Sequence, residues 1–188
     1  MLTLPTDALT AVQQLVHRGD WLALDTETTG LEAHDQVVDV ALLDAEGRVL
    51  FESLSQPTVP FHPEVPPKTG LSDARVAGAP TWPEVWKRLG PLLEGREVVA
   101  FNAAFDSSMI EGTCRAHGLT PARVKWTCAR RLLSPLWSRD RVSLRQVCLD
   151  LGIEPGTHRA KPDVEAMIRA LRTVASRPLT VRPFLLAA

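Results

Sequence analysis

Two apolar runs, Val37 to Leu43 and Val49 to Leu54, stand only a few residues apart across Asp44-Ala-Glu-Gly47. So short a connection joins antiparallel strands, because a parallel crossover needs a dozen residues or more. Trp21 to Leu24 supplies an earlier strand, which would complete an antiparallel three-strand meander. The rhythm then changes. Glu97 to Phe101 is a brief apolar strand that runs into a helix over about 104–117, closed by Gly118, and a further strand follows near 124–128. Strand, helix, strand in that order is a crossover unit with parallel strands. The expected fold class is therefore α/β: a mixed sheet, meander plus parallel strands, flanked by helices.

The helices announce themselves by caps and stripes. Leu9, Val12, Leu15 and Val16 recur at helical spacing behind Thr6 as N-cap and stop at Gly19. Thr81 with Glu84 forms a capping box ahead of a stripe made by Val85, Trp86, Leu89 and Leu92. Ser143 with Gln146 caps a helix whose Leu144, Val147, Cys148 and Leu151 share one face until Gly152. A last helix begins near Pro162, at its first position, and buries Val164, Met167, Ile168, Leu171 and Val174. Five prolines, Pro57, Pro60, Pro63, Pro66 and Pro67, exclude regular structure over 57–67. An ordered surface loop is expected there, since a linker would leave in front of it a unit too small to stand alone.

At 188 residues, 45% apolar and 23% charged, the chain has the balance of a single globular domain spanning 1–188. Its N-terminus lacks a basic region followed by an apolar run, and no stretch approaches the roughly 18 apolar residues of a membrane span. A cytoplasmic protein without membrane partners is expected. Cys114, Cys128 and Cys148 offer no C-x-x-C pair and read as buried reduced thiols. The formal charge is −1, but residues 1–94 carry a net of −8 and residues 95–188 a net of +7. Arg130-Arg131 and Arg139, Arg141, Arg145 suit a polyanion partner, or else a solvated face.

Three acidic clusters carry the chemistry. In LALDTETTG, Asp25 and Glu27 lie two apart, so strand alternation aims both to one face. Like charges so close repel unless a cation relieves them, and carboxylate oxygens select magnesium, manganese or calcium. Gly30 ends the segment with a turn that brings the backbone close to whatever binds. In VVAFNAAFD a strand runs out and Asp106 falls in the first turn of a helix, where it would also suit the helix dipole. If the two strands are neighbours, Asp106 reaches the same sheet edge as Asp25 and Glu27. In HRAKPDVEA, His158 precedes the last helix and Asp163 lies in its first turn. Histidine is poised at neutral pH to take a proton from water.

These segments, DTETTG, N-A-A-F-D and H-R-A-x-x-D, resemble in order and spacing the three motifs of the DEDDh exonucleases. That DnaQ-like family includes the proofreading epsilon subunit of DNA polymerase III. The resemblance runs from about residue 20 to 175, with TGL at 69–71, GAPTW at 78–82 and SLRQVCLDLGI at 143–153 where the family has related segments. It implies an RNase H-like fold and a 3′-to-5′ exonuclease of nucleic acid, DNA favoured, that releases nucleoside monophosphates. By position, Asp25, Glu27, Asp106 and Asp163 would hold two divalent cations, Mg2+ or Mn2+, and His158 would be the general base. Thr28, Leu31, Thr69, Asn102 and Phe105 match positions that line the terminal-nucleotide pocket. Two positions depart from the pattern: Phe101 stands where many relatives have histidine, and Thr69 where the epsilon type has it. DNA repair or proofreading beside a polymerase, or a stand-alone enzyme, would fit this chain. The rival readings are an inactive nucleic-acid-binding assembly subunit, an exoribonuclease and a nucleotide phosphatase.

Overall fold

The structure, a computed structural model, describes residues 6–178. Five strands, β1 (Leu22–Thr28), β2 (Val37–Asp44), β3 (Val49–Leu54), β4 (Glu97–Ala100) and β5 (Lys125–Cys128), form one sheet in the order β3-β2-β1-β4-β5. The first three pair antiparallel, as their spacing predicts, while β4 runs parallel to β1 and β5 parallel to β4. Asp44 builds the tight hairpin: its carboxylate accepts the amides of Glu46 at 3.0 Å and Arg48 at 2.9 Å. Gly47 supplies the positive φ of 87° that the turn requires.

Eight α-helices surround the sheet among the described residues: α1 (Thr6–Arg18), α2 (Val65–Thr69), α3 (Asp73–Val76), α4 (Trp82–Leu93), α5 (Ala103–Ala116), α6 (Ala129–Leu133), α7 (Leu144–Leu151) and α8 (Ala160–Ala175). Alternation divides the strands between two cores. Leu22, Leu24, Val40, Leu42 and Val98 face α4 and α5, whereas Ala23, Ala41, Leu43 and Val99 face α1, α6, α7 and α8. Ala23 and Ala41 carry only a methyl, which lets α8 approach β1 and β2 closely. Val164, Met167, Ile168, Leu171 and Val174 of α8 are all buried there. At about 1.5–3 kcal/mol for each large apolar side chain, that face fixes the helix firmly.

Several expectations need correction. Pro66 and Pro67 lie inside α2, in a first turn whose amides have no helical partner, so proline costs nothing there. The rest of the proline-rich segment is an ordered loop: Thr58 exchanges hydrogen bonds with the Gln36 side chain, both at 2.8 Å, and the His62 amide reaches Thr29 O at 2.7 Å. In α4 the buried stripe is Trp82, Val85, Trp86, Leu89 and Leu93, and Leu92 is exposed. At about 100° per residue, Leu92 falls at the edge of that arc while Leu93 falls near its middle. Helix α8 starts two residues before Pro162, which occupies its third position, still among the free amides of the first turn. The Thr6 side chain lies outside the described residues. All three cysteines are free, and no described helix is long and apolar enough to cross a membrane.

Candidate active site

Asp25 and Glu27 share the face of Ala23, so β1 directs both toward α8, as alternation requires. Asp163 meets them from the first turn of α8, where its amide donates to Arg159 O at 3.1 Å. One carboxylate oxygen from each of Asp25, Glu27 and Asp163 lies within 4.8 Å of the others. Asp106 comes from the opposite side. The parallel pairing of β1 with β4 delivers the start of α5 to the same sheet edge. There Asp106 is buried and its Oδ1 accepts from Thr26 N at 3.1 Å and Thr26 Oγ1 at 2.9 Å. It stands outside the group of three, yet its charge bears on Asp25.

The electrostatics are those of acids crowded without enough compensating charge. Burial, then the charges of Asp106, Glu27, Asp163 and Asp39, holds the Asp25 carboxyl well above the usual range. Glu27 is pushed up to about 8 by burial and by Asp163, Asp39 and Asp106, with Arg159 opposing. Asp106 rises to about 7 through burial, against the hydrogen bonds from Thr26. Burial also raises Asp163, while the charge of His158 and the amides of His158, Thr157 and Arg159 pull it back. An all-carboxylate set of this kind suits a hard divalent ion, which would relieve the repulsion directly. Asp163 Oδ1 is buried and has no hydrogen-bond partner. The donor set therefore fits a divalent cation.

His158 is exposed and sits at φ 55°, just before Arg159, the N-cap of α8. The residues expected to line a nucleotide pocket are more dispersed. Thr28 is buried and its hydroxyl donates to Gly30 O; Leu31 is 79% exposed just beyond β1. Thr69 Oγ1 donates to Val65 O and accepts the Leu71 amide, both at 3.0 Å. Asn102 caps α5 and accepts from Arg130 Nη2, and Phe105 packs on the α4–α5 core. Gly30 does not open the backbone to a ligand: a Cβ there would fall 2.4 Å from the Asp35 carboxylate, which closes the loop itself.

Three features escape the sequence reading. Asp39 pairs across the sheet with Glu27 and binds Arg159; an acid in the apolar run VVDVALL was the signal. Gly156 backs Asp163 so closely that a Cβ would fall 1.9 Å from its Oδ1. Thr26, between the two first-strand acids, anchors Asp106.

The five-stranded mixed sheet flanked by helices is an RNase H-like fold, and at its edge acids of β1 meet an acid from the first turn of α8. The chain matches the exonuclease family model RNase_T over residues 22–171 and belongs to that family. It is 33% identical over 100 residues to an uncharacterized exonuclease of Escherichia phage 186, covering 53% of this chain and 52% of that protein. It is 25% identical over 160 residues to the DNA polymerase III epsilon subunit of Treponema pallidum, covering 81% of this chain and 74% of the subunit. The chain thus spans about half the phage protein's length. Among solved structures, the nuclease domain of 3′hExo, a DEDDh member bound to rAMP, superposes with a TM-score of 0.67 at 17% identity, over 81% of this chain and 90% of that one.

Proposed function

We propose that this exonuclease works from the 3′ end of single-stranded DNA, releasing nucleoside monophosphates, with Asp25, Glu27, Asp106 and Asp163 holding two Mg2+ or Mn2+ ions. The observation that carries this reading is the convergence of Asp25, Glu27 and Asp163 to within 4.8 Å, with the charge of Asp106 also bearing on Asp25. When bound, two such ions would stabilise the charge that develops on the attacking and leaving oxygens of an in-line displacement.

His158 takes the proton of the attacking water as its oxygen bonds to phosphorus and the bond to the preceding 3′-oxygen breaks. Its exposure at the mouth of the site, near enough for its charge to act on Asp163, supports that role. Thr28, Leu31, Thr69, Asn102 and Phe105 line the terminal nucleotide. Leu31, largely exposed at the sheet edge, offers an apolar surface for a base. The epsilon relative supports DNA and a proofreading or repair setting with a polymerase. The rAMP held by the solved neighbour favours RNA as the second reading.

Matched DNA and RNA oligomers, labelled at the 5′ end and incubated with Mg2+ or Mn2+, test the proposal. Stepwise shortening of DNA is expected, with Asp25→Ala reduced to background. Faster shortening of RNA would replace the DNA reading, and release of inorganic phosphate from mononucleotides would remove the exonuclease proposal.

A further inference from the structure

We propose that Asp39 and Arg159 form a lock that positions the first turn of α8, and with it His158 and Asp163, against the acids of β1. The inference rests on the active-site reading above and extends it to two residues outside the four acids and the histidine.

Asp39 lies in β2, every residue of which is buried, and its side chain is only 5% exposed. An ionised group there is costly unless paired and hydrogen-bonded. Antiparallel register sets it directly opposite Glu27, so both point toward α8. Its Oδ2 accepts from Arg159 Nε at 2.7 Å and from the Ala160 amide at 3.3 Å. Ala160 is the first residue of α8, so that amide has no partner within the helix. Arg159, the N-cap, makes no side-chain cap of its own. A strand carboxylate therefore does the capping from across the sheet and grips the cap residue at the same time.

The gripped residues stand between the two chemical groups. His158 precedes Arg159 in a left-handed conformation, φ 55°, which is uncommon for a residue with a Cβ. Asp163 follows one turn later, its amide bonded to Arg159 O. Arg159 thus fixes both neighbours through its backbone, and Asp39 fixes Arg159. The other ion pair of this turn, Lys161 with Glu52 at 3.3 Å, is exposed at both ends and contributes little.

Asp39 and Arg159 are positioning residues, so the test separates positioning from folding. Arg159→Ala and Asp39→Asn are expected to lower kcat about 10–100-fold on an oligonucleotide, with KM nearly unchanged. Arg159→Lys, which keeps the charge, should recover part of that loss. Because one unpaired buried partner can unfold a protein, the apolar double variant Asp39→Val, Arg159→Met is the second arm; such replacements commonly preserve stability. It should melt close to wild type, keep the low kcat, and exchange the Ala160 amide faster in hydrogen-exchange measurements. A stable double variant with wild-type kcat, or unchanged exchange at Ala160, would overturn the lock. Should the wild-type protein shorten no oligonucleotide, the active-site reading fails separately and amide exchange alone decides.

Discussion

Gly156 shows how little room the site leaves. A Cβ at that position would meet Asp163 Oδ1 at 1.9 Å and Asp163 Cα at 2.9 Å, and backbone cannot yield as a flexible side chain can. Gly156→Ala should shift the Asp163 carboxylate and cost at least about 10-fold in kcat, since misplacements near 1 Å are that expensive. The reference is Gly112→Ala in α5, where the new Cβ would touch Ala33 O at an ordinary 3.6 Å. That change should leave activity intact and stabilise by about 0.5–1 kcal/mol. Kinetics and thermal melts on both variants check the pair. At this scale the gathering of acids is legible where they stand at strand ends and helix starts, as do Asp25, Glu27, Asp106 and Asp163. Asp39 is not legible in the same way, because one acid in a strand reads as a solvent-facing position until its partner, 120 residues along the chain, is seen beside it. Gly30 misleads for a related reason: the group that needs its missing Cβ is Asp35, a neighbour and not a ligand.

Elements are fixed mainly by their ends. At the start of α4 the Glu84 carboxylate accepts from Thr81 N at 2.7 Å and from Thr81 Oγ1 at 2.8 Å, as the Thr-x-x-Glu spacing predicts. Ser143 Oγ likewise accepts the Gln146 amide at 3.1 Å, although the Gln146 side chain turns to Asp150 and does not reach back. Thr81→Ala should destabilise by about 1 kcal/mol. In a protein of this size that lowers the melting temperature by roughly 2–4 °C, and exonuclease turnover should not change because α4 packs on the sheet face away from α8. Calorimetry with a parallel activity assay checks both halves of that expectation. Strands and helices are readable here because their periods differ and their caps are chemically explicit. Their boundaries are less so. The start of α8 is set by Asp39 reaching the Ala160 amide, a contact that no local pattern encodes, and Pro162 accordingly points two residues too far along.

For the molecule as a whole, the crowded acids make stability depend on pH and on bound cations. Glu27 moves from its ordinary 4.5 to about 8 and Asp106 from 3.8 to about 7. The folded state therefore binds these protons more tightly than the unfolded chain. That contribution is complete below the unfolded values and is lost as pH rises through the folded ones. Without divalent ions, the melting temperature should fall across this window, from about pH 4 to about pH 8. Cation binding requires the same groups ionised, so the increment from Mg2+ or Mn2+ should grow over the same range. Thermal melts in chelator and in excess metal at several pH values check this; an increment independent of pH would remove these carboxylates as the binding groups. The order of the fold carries one more consequence. Asp25 and Glu27 belong to the first strand and Asp163 to the last described helix, so the anionic pocket closes only when nearly the whole chain has folded back on itself. A nascent polypeptide emerging amino end first exposes two of those three acids long before the third leaves the ribosome. An unfinished copy therefore carries two of the three acids and no complete site.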